Sequence, residues 1–274
     1  MLSLGLKGGA SLQENGFINE VISALTLGVV FALLIPILAY LYLKNLLNSD
    51  DAAALSGTYG SVSAVTFVTA IAYLTTSNQN FDNYMSAVLV VMEFPAIFMA
   101  LYLVTHSKND KGNNLKTIRT AFLEIPNIIL ISSLFVGYFV STAVLSNLDY
   151  LIVTIFDYLL YIFLFVMGTR VAKRIGELKG RGVSLIAFAL LMPLVGSFIS
   201  LLASIYFGLS VGNATLLMVL TASASYIAVP AVVKDAIPDA NPAIYLGLSL
   251  GVTFPFNIIF GIPLYNELAK YFIG

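Results

Sequence analysis

Apolar residues in this chain come in runs too long for the strands or core helices of a water-soluble domain. A bilayer crossing takes about 20 residues of helix. On that measure the runs predict eight spans, over roughly 17–43, 53–76, 83–105, 120–142, 148–169, 183–208, 212–234 and 242–271. Only short polar segments separate them. Backbone amides and carbonyls find no partner in lipid, so closely spaced runs of this length predict an all-α integral membrane bundle. The last two runs are interrupted by Pro or Gly and are predicted to be broken helices.

The polar positions between the runs carry a direction. The segments after odd-numbered spans hold Lys44, then Lys108, Lys111, Lys116 and Arg119, then Arg170, Lys173, Arg174, Lys179 and Arg181, and finally Lys234. The other side holds only Lys7 and Lys270. Basic residues concentrate on the cytoplasmic side. The segments 106–119 and 170–181 are therefore expected in the cytoplasm, with both ends of this chain outside it. The stretch "TRVAKRIGELKGRG" (169–182) reads first as a topology determinant. Anionic lipid or a cytoplasmic regulatory protein is a second use for it.

Composition closes off several classes. Of the 274 residues, 59% are hydrophobic and 10% charged, with a mean hydropathy of +0.95. Soluble domains carry about 25% charged residues, so a soluble protein is excluded. A net charge of −1 gives no basic surface for nucleic acid. There is no cysteine, hence no disulfide or thiolate chemistry. The single His106 lies in a charged segment with no second histidine, a poor metal ligand. No phosphate-cradling Gly-rich loop and no Ser–His–Asp set is present, so the chain does not read as an ATPase or another enzyme, and no organic cofactor is expected. The opening "MLSLGLKGGASLQENG" is too short and too glycine-rich for a signal peptide.

Three landmarks recur along the chain in the same order. Gly8 pairs with Gly168, Ser61-Val62-Ser63-Ala64 with Ser223-Ala224-Ser225-Tyr226, and Phe94-Pro95 with Phe254-Pro255, at offsets of 160, 162 and 160 residues. The expected division is a first repeat over 1–105, a linker over 106–119 and a second repeat over 120–274. Two spans precede Gly168, whereas almost nothing precedes Gly8. The first repeat is thus expected to lack about 45 to 50 residues relative to the second. A full repeat of five spans has an odd number, so the second copy lies inverted relative to the first. Inverted repeats with broken helices mark secondary transporters, with the site at the repeat interface near the midplane.

The candidate site follows from that symmetry. Gly57 and Gly60 weaken the helix before Ser61 and Ser63. Pro230 removes an amide that would bond back toward Tyr226, behind Ser223 and Ser225. Broken helices present amides and carbonyls, and their N-terminal ends favour an anion. Singly, such serines are more often packing residues between membrane helices; the matched placement makes the set a candidate ligand site. Glu93 sits inside an apolar run, where a carboxylate costs about 3 kcal/mol and reads as functional by default. It either helps to hold a cation or sits protonated. Pro95 just after it is expected to free carbonyls for a sodium ion. Thr253, a neutral oxygen, is its counterpart, with Asn257 one turn later. Asp157 either lines the pathway or pairs with a polar neighbour.

These residues lie in stretches that resemble the sodium-dependent bicarbonate transporters: "GLKGGASL" (5–12), "GTYGSVSAVTF" (57–67), "MEFPAIF" (92–98), "VMGTRVAKRIGEL" (166–178) and "AIPDANPAIYLGLSLGVTFPFNIIFGIPLY" (236–265). The resemblance implies ten helices in two inverted five-helix repeats, with core and gate subdomains moving in an elevator-like manner. It also implies symport of bicarbonate with sodium and trimeric assembly, with a PII-like protein as cytoplasmic regulator. Carried over, the site is Gly60, Ser61, Ser63, Glu93, Ser223 and Ser225, with Ser63 and Ser225 beside Glu93 toward sodium. The sequence departs from the family where Tyr226 stands in place of an acidic residue, where Ala228 replaces a small polar one, and where Glu93 replaces Asp. Tyr226 both removes a carboxylate from the expected cation site and fills volume beside the anion. Two other readings stand beside transport: a membrane sensor or scaffold that binds a ligand without moving it, and an inactive shortened product.

Overall fold

The computed structural model describes residues 2–108, 125–140, 162, 165, 166, 169 and 182–274; Asp157, Gly168 and the basic segment 170–181 lie outside them. All regular structure among the described residues is helical. The helices are α1 (Leu2–Asn15), α2 (Asn19–Leu43), α3 (Ser49–Gly60), α4 (Ala64–Thr76), α5 (Met85–Lys108), α6 (Ile125–Phe139), α7 (Val183–Phe207), α8 (Val211–Ala222), α9 (Ala228–Ala236) and α10 (Pro242–Ile273).

Helices α2 and α7 show why this bundle suits lipid. Along α7 the buried face runs through Leu185, Phe188, Met192, Gly196, Ser200 and Ser204. The opposite face exposes Leu191, Val195, Phe198, Leu202 and Tyr206 at the same three- and four-residue spacing. A soluble protein does not leave such a stripe in water. Helix α2 repeats the pattern, burying Val21, Ala24, Phe31 and Ile35 while Ile22, Val30 and Leu41 face out. Both are 25-residue helices.

Helices α3 and α8 behave differently. Each is 12 residues long, about 18 Å of helix, too short to cross a hydrocarbon core of about 30 Å. Every residue of α3 from Asp51 on, and every residue of α8 from Gly212 on, is buried. They form the centre of the bundle. Small residues permit this enclosure, because association in lipid rests on close packing rather than water exclusion. A side chain at Gly60 would meet the ring of Pro36 on α2, and one at Gly196 would meet the carbonyl of Thr221 on α8.

Helix α1 packs along α6. Gly5, Gly9 and Gly137 set that approach: a Cβ at Gly9 would meet Leu134 O and Tyr138 N of α6, and one at Gly137 the backbone of Leu6. Gly9→Leu is expected to cost about 1–3 kcal/mol by overpacking, seen as a lower thermal midpoint in detergent. Gly182→Ala, at a glycine with open space around it, is the control and leaves the midpoint in place.

The expected spans at 17–43, 53–76, 83–105 and 183–208 correspond to α2, α3–α4, α5 and α7. Three expectations need correction. The run at 242–271 is not a broken helix: α10 is continuous. Two π-helical turns, at Ser249–Thr253 and Asn257–Gly261, absorb the amides missing at Pro255 and Pro263 by shifting the bonding register. The break in 212–234 falls at Ser223–Ile227, ahead of Pro230, which is the third residue of α9, where a helix lacks amide partners anyway. Helix α5 likewise runs through Pro95, so that proline marks no break; it only withholds a donor from the Val91 carbonyl one turn back.

Candidate functional site

The two serine motifs form the two breaks. The chain leaves α3 at Ser61 with φ −91° and ψ 169° and leaves α8 at Ser223 with φ −84° and ψ 162°. Both C-caps are extended, so each helix stops abruptly and restarts after a few residues as α4 or α9. Asn48 opens α3, its Oδ1 accepting from Asp51 N at 2.8 Å. Ser63 opens α4, its Oγ accepting from Thr66 N at 3.2 Å and from Thr66 Oγ1 at 2.9 Å. Ser225 Oγ accepts from Val229 N near the start of α9 at 3.3 Å.

The breaks are bonded to each other. Ser63 N donates to Ser223 Oγ at 2.9 Å, and Ser225 N donates to the Thr58 carbonyl at 2.8 Å. Residues 160 apart in sequence thus share one buried crossing. Ser61, Ser63, Ser223 and Ser225 are all at most 4% exposed. Gly60 sits at the last turn of α3 because only hydrogen fits beside Pro36 there. Ser223 is fully engaged, since its hydroxyl also donates to Leu220 O at 2.9 Å.

Tyr226 packs its ring between Val65 of α4 and Leu250 and Phe254 of α10, edge-on to Phe254 with centroids 5.4 Å apart. Its hydroxyl faces Ser63 but closes no hydrogen bond. The Ser61 hydroxyl is also buried and unpartnered.

Thr253 and Asn257 are tied into the frame. Thr253 Oγ1 donates to the Ala189 carbonyl of α7 at 2.7 Å and accepts from Tyr59 Oη at 2.5 Å. Asn257 Nδ2 donates to the Ala222 carbonyl at 2.8 Å, so it satisfies an orphan carbonyl at the end of α8. Tyr265 Oη donates to Asn257 Oδ1 at 2.9 Å. Both polar positions lie in or beside the π turns, and each holds α10 against a broken helix. Glu93 lies on α5, buried, with no hydrogen bond or ion pair to it among the described residues. Helix α5, which carries it, packs against α2, α3 and α9.

Sequence reasoning missed Tyr59, Thr66 and a polar hub at Asn213. Tyr59 stands inside the quoted "GTYGSVS", and Asn213 is a lone amide in the apolar run "VGNATLLMVL". Both were visible as polar groups that a membrane interior must satisfy.

Apolar helices on the outside and two interrupted helices bonded at the centre define a multi-pass helical membrane protein with a polar crossing in its interior. A family model described as the Na+-dependent bicarbonate transporter superfamily matches residues 1–270. The chain belongs to that superfamily, which places it among transporters. No curated protein matches it.

Proposed function

We propose that this chain moves bicarbonate, or a related small anion, together with sodium across the cytoplasmic membrane. The observation that carries the reading is the crossing of two broken helices, hydrogen-bonded through Ser63–Ser223 and Ser225–Thr58, with the N-terminal ends of α4 and α9 beside it. Helix N-termini suit an anion. The equal lengths of α3 and α8 and the matched extended caps at Ser61 and Ser223 support two inverted repeats of the five-helix type. Gly60, Ser61, Ser63, Ser223, Ser225 and Tyr226 line the anion position, and Glu93 with Ser63 and Ser225 faces sodium. An elevator-like movement of the crossing past a second subdomain, in a homotrimer, gives alternating access. Both ends of the chain lie outside the cytoplasm, and the basic segment 170–181 meets anionic lipid or a PII-like regulator inside.

The test is uptake of labelled bicarbonate by proteoliposomes. Uptake driven by an inward sodium gradient and collapsed by its removal is the expected result. No flux of bicarbonate or other small anions, with or without sodium, overturns the reading. Tyr226 favours one alternative, a ligand sensor or scaffold, because its ring occupies the crossing between Val65 and Phe254. Tight anion binding without flux selects that alternative.

A further inference from the structure

The repeat relation continues beyond the serines, to the far ends of the two central helices. The offset of 162 residues that carries Ser61 onto Ser223 also carries Asp51 onto Asn213, the third residue of α3 onto the third of α8. Both are buried, at 7% and 0% exposure. Each accepts a hydrogen bond from the backbone of a segment in the other half of the chain. Asp51 Oδ1 accepts from Asn241 N at 2.6 Å, just before α10. Asn213 Oδ1 accepts from Asp82 N at 2.8 Å, three residues before α5. Asp82 and Asn241 are 159 residues apart, close to the 160 that carries Phe94-Pro95 onto Phe254-Pro255. The breaks keep this symmetry less well, since Ser225 N takes Thr58 O where Ser61 Oγ would match.

The two clamps are chemically reversed. In the first the broken helix supplies the carboxylate: Asp51 Oδ2 accepts from Asn48 Nδ2 at 2.9 Å, and Asn48 Oδ1 accepts from Asp51 N. In the second the broken helix supplies the amide, Asn213, and its neighbours Asp82 and Glu20 supply the carboxylates. The clamps lie at opposite ends of the bundle, because Glu20 is in the first turn of the 25-residue α2 and Asn48 comes five residues after its end. A 12-residue helix enclosed on every side has little else to fix its height. Helix α3 carries Ala52, Ala53, Ala54 and Gly57, and the hydroxyls of Ser56 and Thr58 turn back to carbonyls of their own helix. Small faces let helices approach closely and present low ridges against sliding. A slip of one residue moves a break by about 1.5 Å. Donor–acceptor distances vary over only about 0.5 Å, so the Ser63–Ser223 and Ser225–Thr58 bonds do not survive such a slip.

We infer that Asp51 and Asn213 are a symmetry-related pair of positioning residues: each fixes the depth of its half-helix, and together they set where the two breaks meet. Both act from about 15 Å of helix away, ten residues before Ser61 and Ser223. That they serve transport rests on the reading above; that they hold the breaks does not. Each clamp needs one carboxylate and one amide, and either side can supply either group. Asn48→Asp with Asp51→Asn keeps an oxygen on both backbone amides and one bond between the side chains, and an aspartate at 48 still caps α3. Asp82→Asn with Asn213→Asp gives the second clamp the arrangement of the first. Asp51→Asn alone sets two amide nitrogens against each other, because the backbone amides of residues 241 and 51 hold the oxygen of each side chain in place.

The experiment is hydrogen–deuterium exchange on the full chain in detergent, read in peptides that hold the Ser63 and Ser225 amides, beside labelled bicarbonate uptake in proteoliposomes. Asp51→Asn and Asn213→Leu each break one clamp. Exchange at both breaks is expected to quicken about 10- to 100-fold, the effect of an unmet buried polar group, and uptake to fall with it. The two exchanged pairs return exchange and uptake to those of the unmodified chain. Gly9→Leu is the control: it lowers the thermal midpoint at the α1–α6 contact and leaves exchange at the breaks as it was. Where a single variant does not fold, recovery of the folded chain by its exchanged pair upholds the clamp. Quickening confined to the residues beside the substitution, equal quickening in Gly9→Leu, or exchanged pairs that stay open or do not fold overturns the assignment. Breaks that open while uptake holds steady deny the clamps a part in transport. No flux of any small anion by the unmodified chain overturns the transport reading instead, and exchange alone then decides the clamps.

Discussion

Glu93→Gln is expected to remove the sodium response of uptake. Glutamine keeps the shape of the side chain and takes away only its charge. Glu93 lies between Met92 and Phe94 in an apolar helix and is 5% exposed. No basic side chain or hydrogen-bond donor reaches it among the described residues. A carboxyl kept in that setting costs about 3 kcal/mol at the middle of a membrane, and a sodium ion supplies the compensating charge. Sodium is a hard cation and takes oxygen ligands. The Val91 carbonyl, deprived of its helical donor by Pro95, offers one close by in the chain. Loss of a charged ligand of this kind corresponds to about 1.5–3 kcal/mol, so half-saturating sodium should rise about 10- to 100-fold. Uptake against sodium concentration checks it. An unchanged sodium curve with normal flux removes Glu93 from the cation site. A loss of flux at all sodium concentrations, with bicarbonate binding intact, shows instead that the carboxyl acts in the movement and not in coupling.

The centre of this molecule was legible in its sequence because membrane interiors make polar groups conspicuous. Ser61, Ser63, Ser223 and Ser225 stood out in apolar runs, and their spacing across the chain foretold that they meet. Their bonding did not follow from spacing. Whether Ser225 N takes Thr58 O or Ser61 Oγ depends on the last few degrees of two helix ends, which no periodicity encodes. Prolines misled for a related reason. Pro95 and Pro255 look like breaks, yet α5 runs through the first and a π turn absorbs the amide lost at the second, and the helices continue. Pro230 does stand near a true break, but the serines before it form that break. Thr253 was read as an open oxygen, and the structure engages it with Ala189 and Tyr59; such long-range pairing has no local signal. Gly57 and Gly60 were read as weak points in a helix. Gly60 instead marks where α3 presses on the Pro36 ring of α2.

Asn213→Leu is expected to destabilise the protein more than any other single change proposed here. Asn213 is fully buried near the start of α8. Its Nδ2 has three acceptors within hydrogen-bond distance, Asp82 Oδ2 at 2.7 Å, Glu20 Oε1 at 2.9 Å and Tyr84 Oη at 2.9 Å, which share its two protons, and its Oδ1 accepts from Asp82 N at 2.8 Å. Ser210 N adds a further bond to Glu20 Oε1 at 3.2 Å. One side chain thus joins the start of α2, the segment before α5 and the start of α8. The segment is pressed tightly there, since a Cβ at Gly212 would meet the Asn80 carbonyl. Leucine fills similar volume but donates nothing, so Glu20 and Asp82 would face one another across an apolar group. Tyr84 is buried, and Glu20 and Asp82 are part-buried; an unmet buried partner costs about 1–3 kcal/mol and a part-buried one less, so the sum is about 3–5 kcal/mol. At about 2–4 °C per kcal/mol for a chain of this size, the thermal midpoint in detergent should fall by about 6–20 °C. The mechanism carries its own check. If the cost comes from the two carboxylates left without a shared donor, Asp82→Asn in the Asn213→Leu background restores part of the midpoint by ending their repulsion. If it comes only from lost packing, the second substitution restores nothing, and a midpoint unchanged by Asn213→Leu itself denies the hub any role in holding the start of α8 in place.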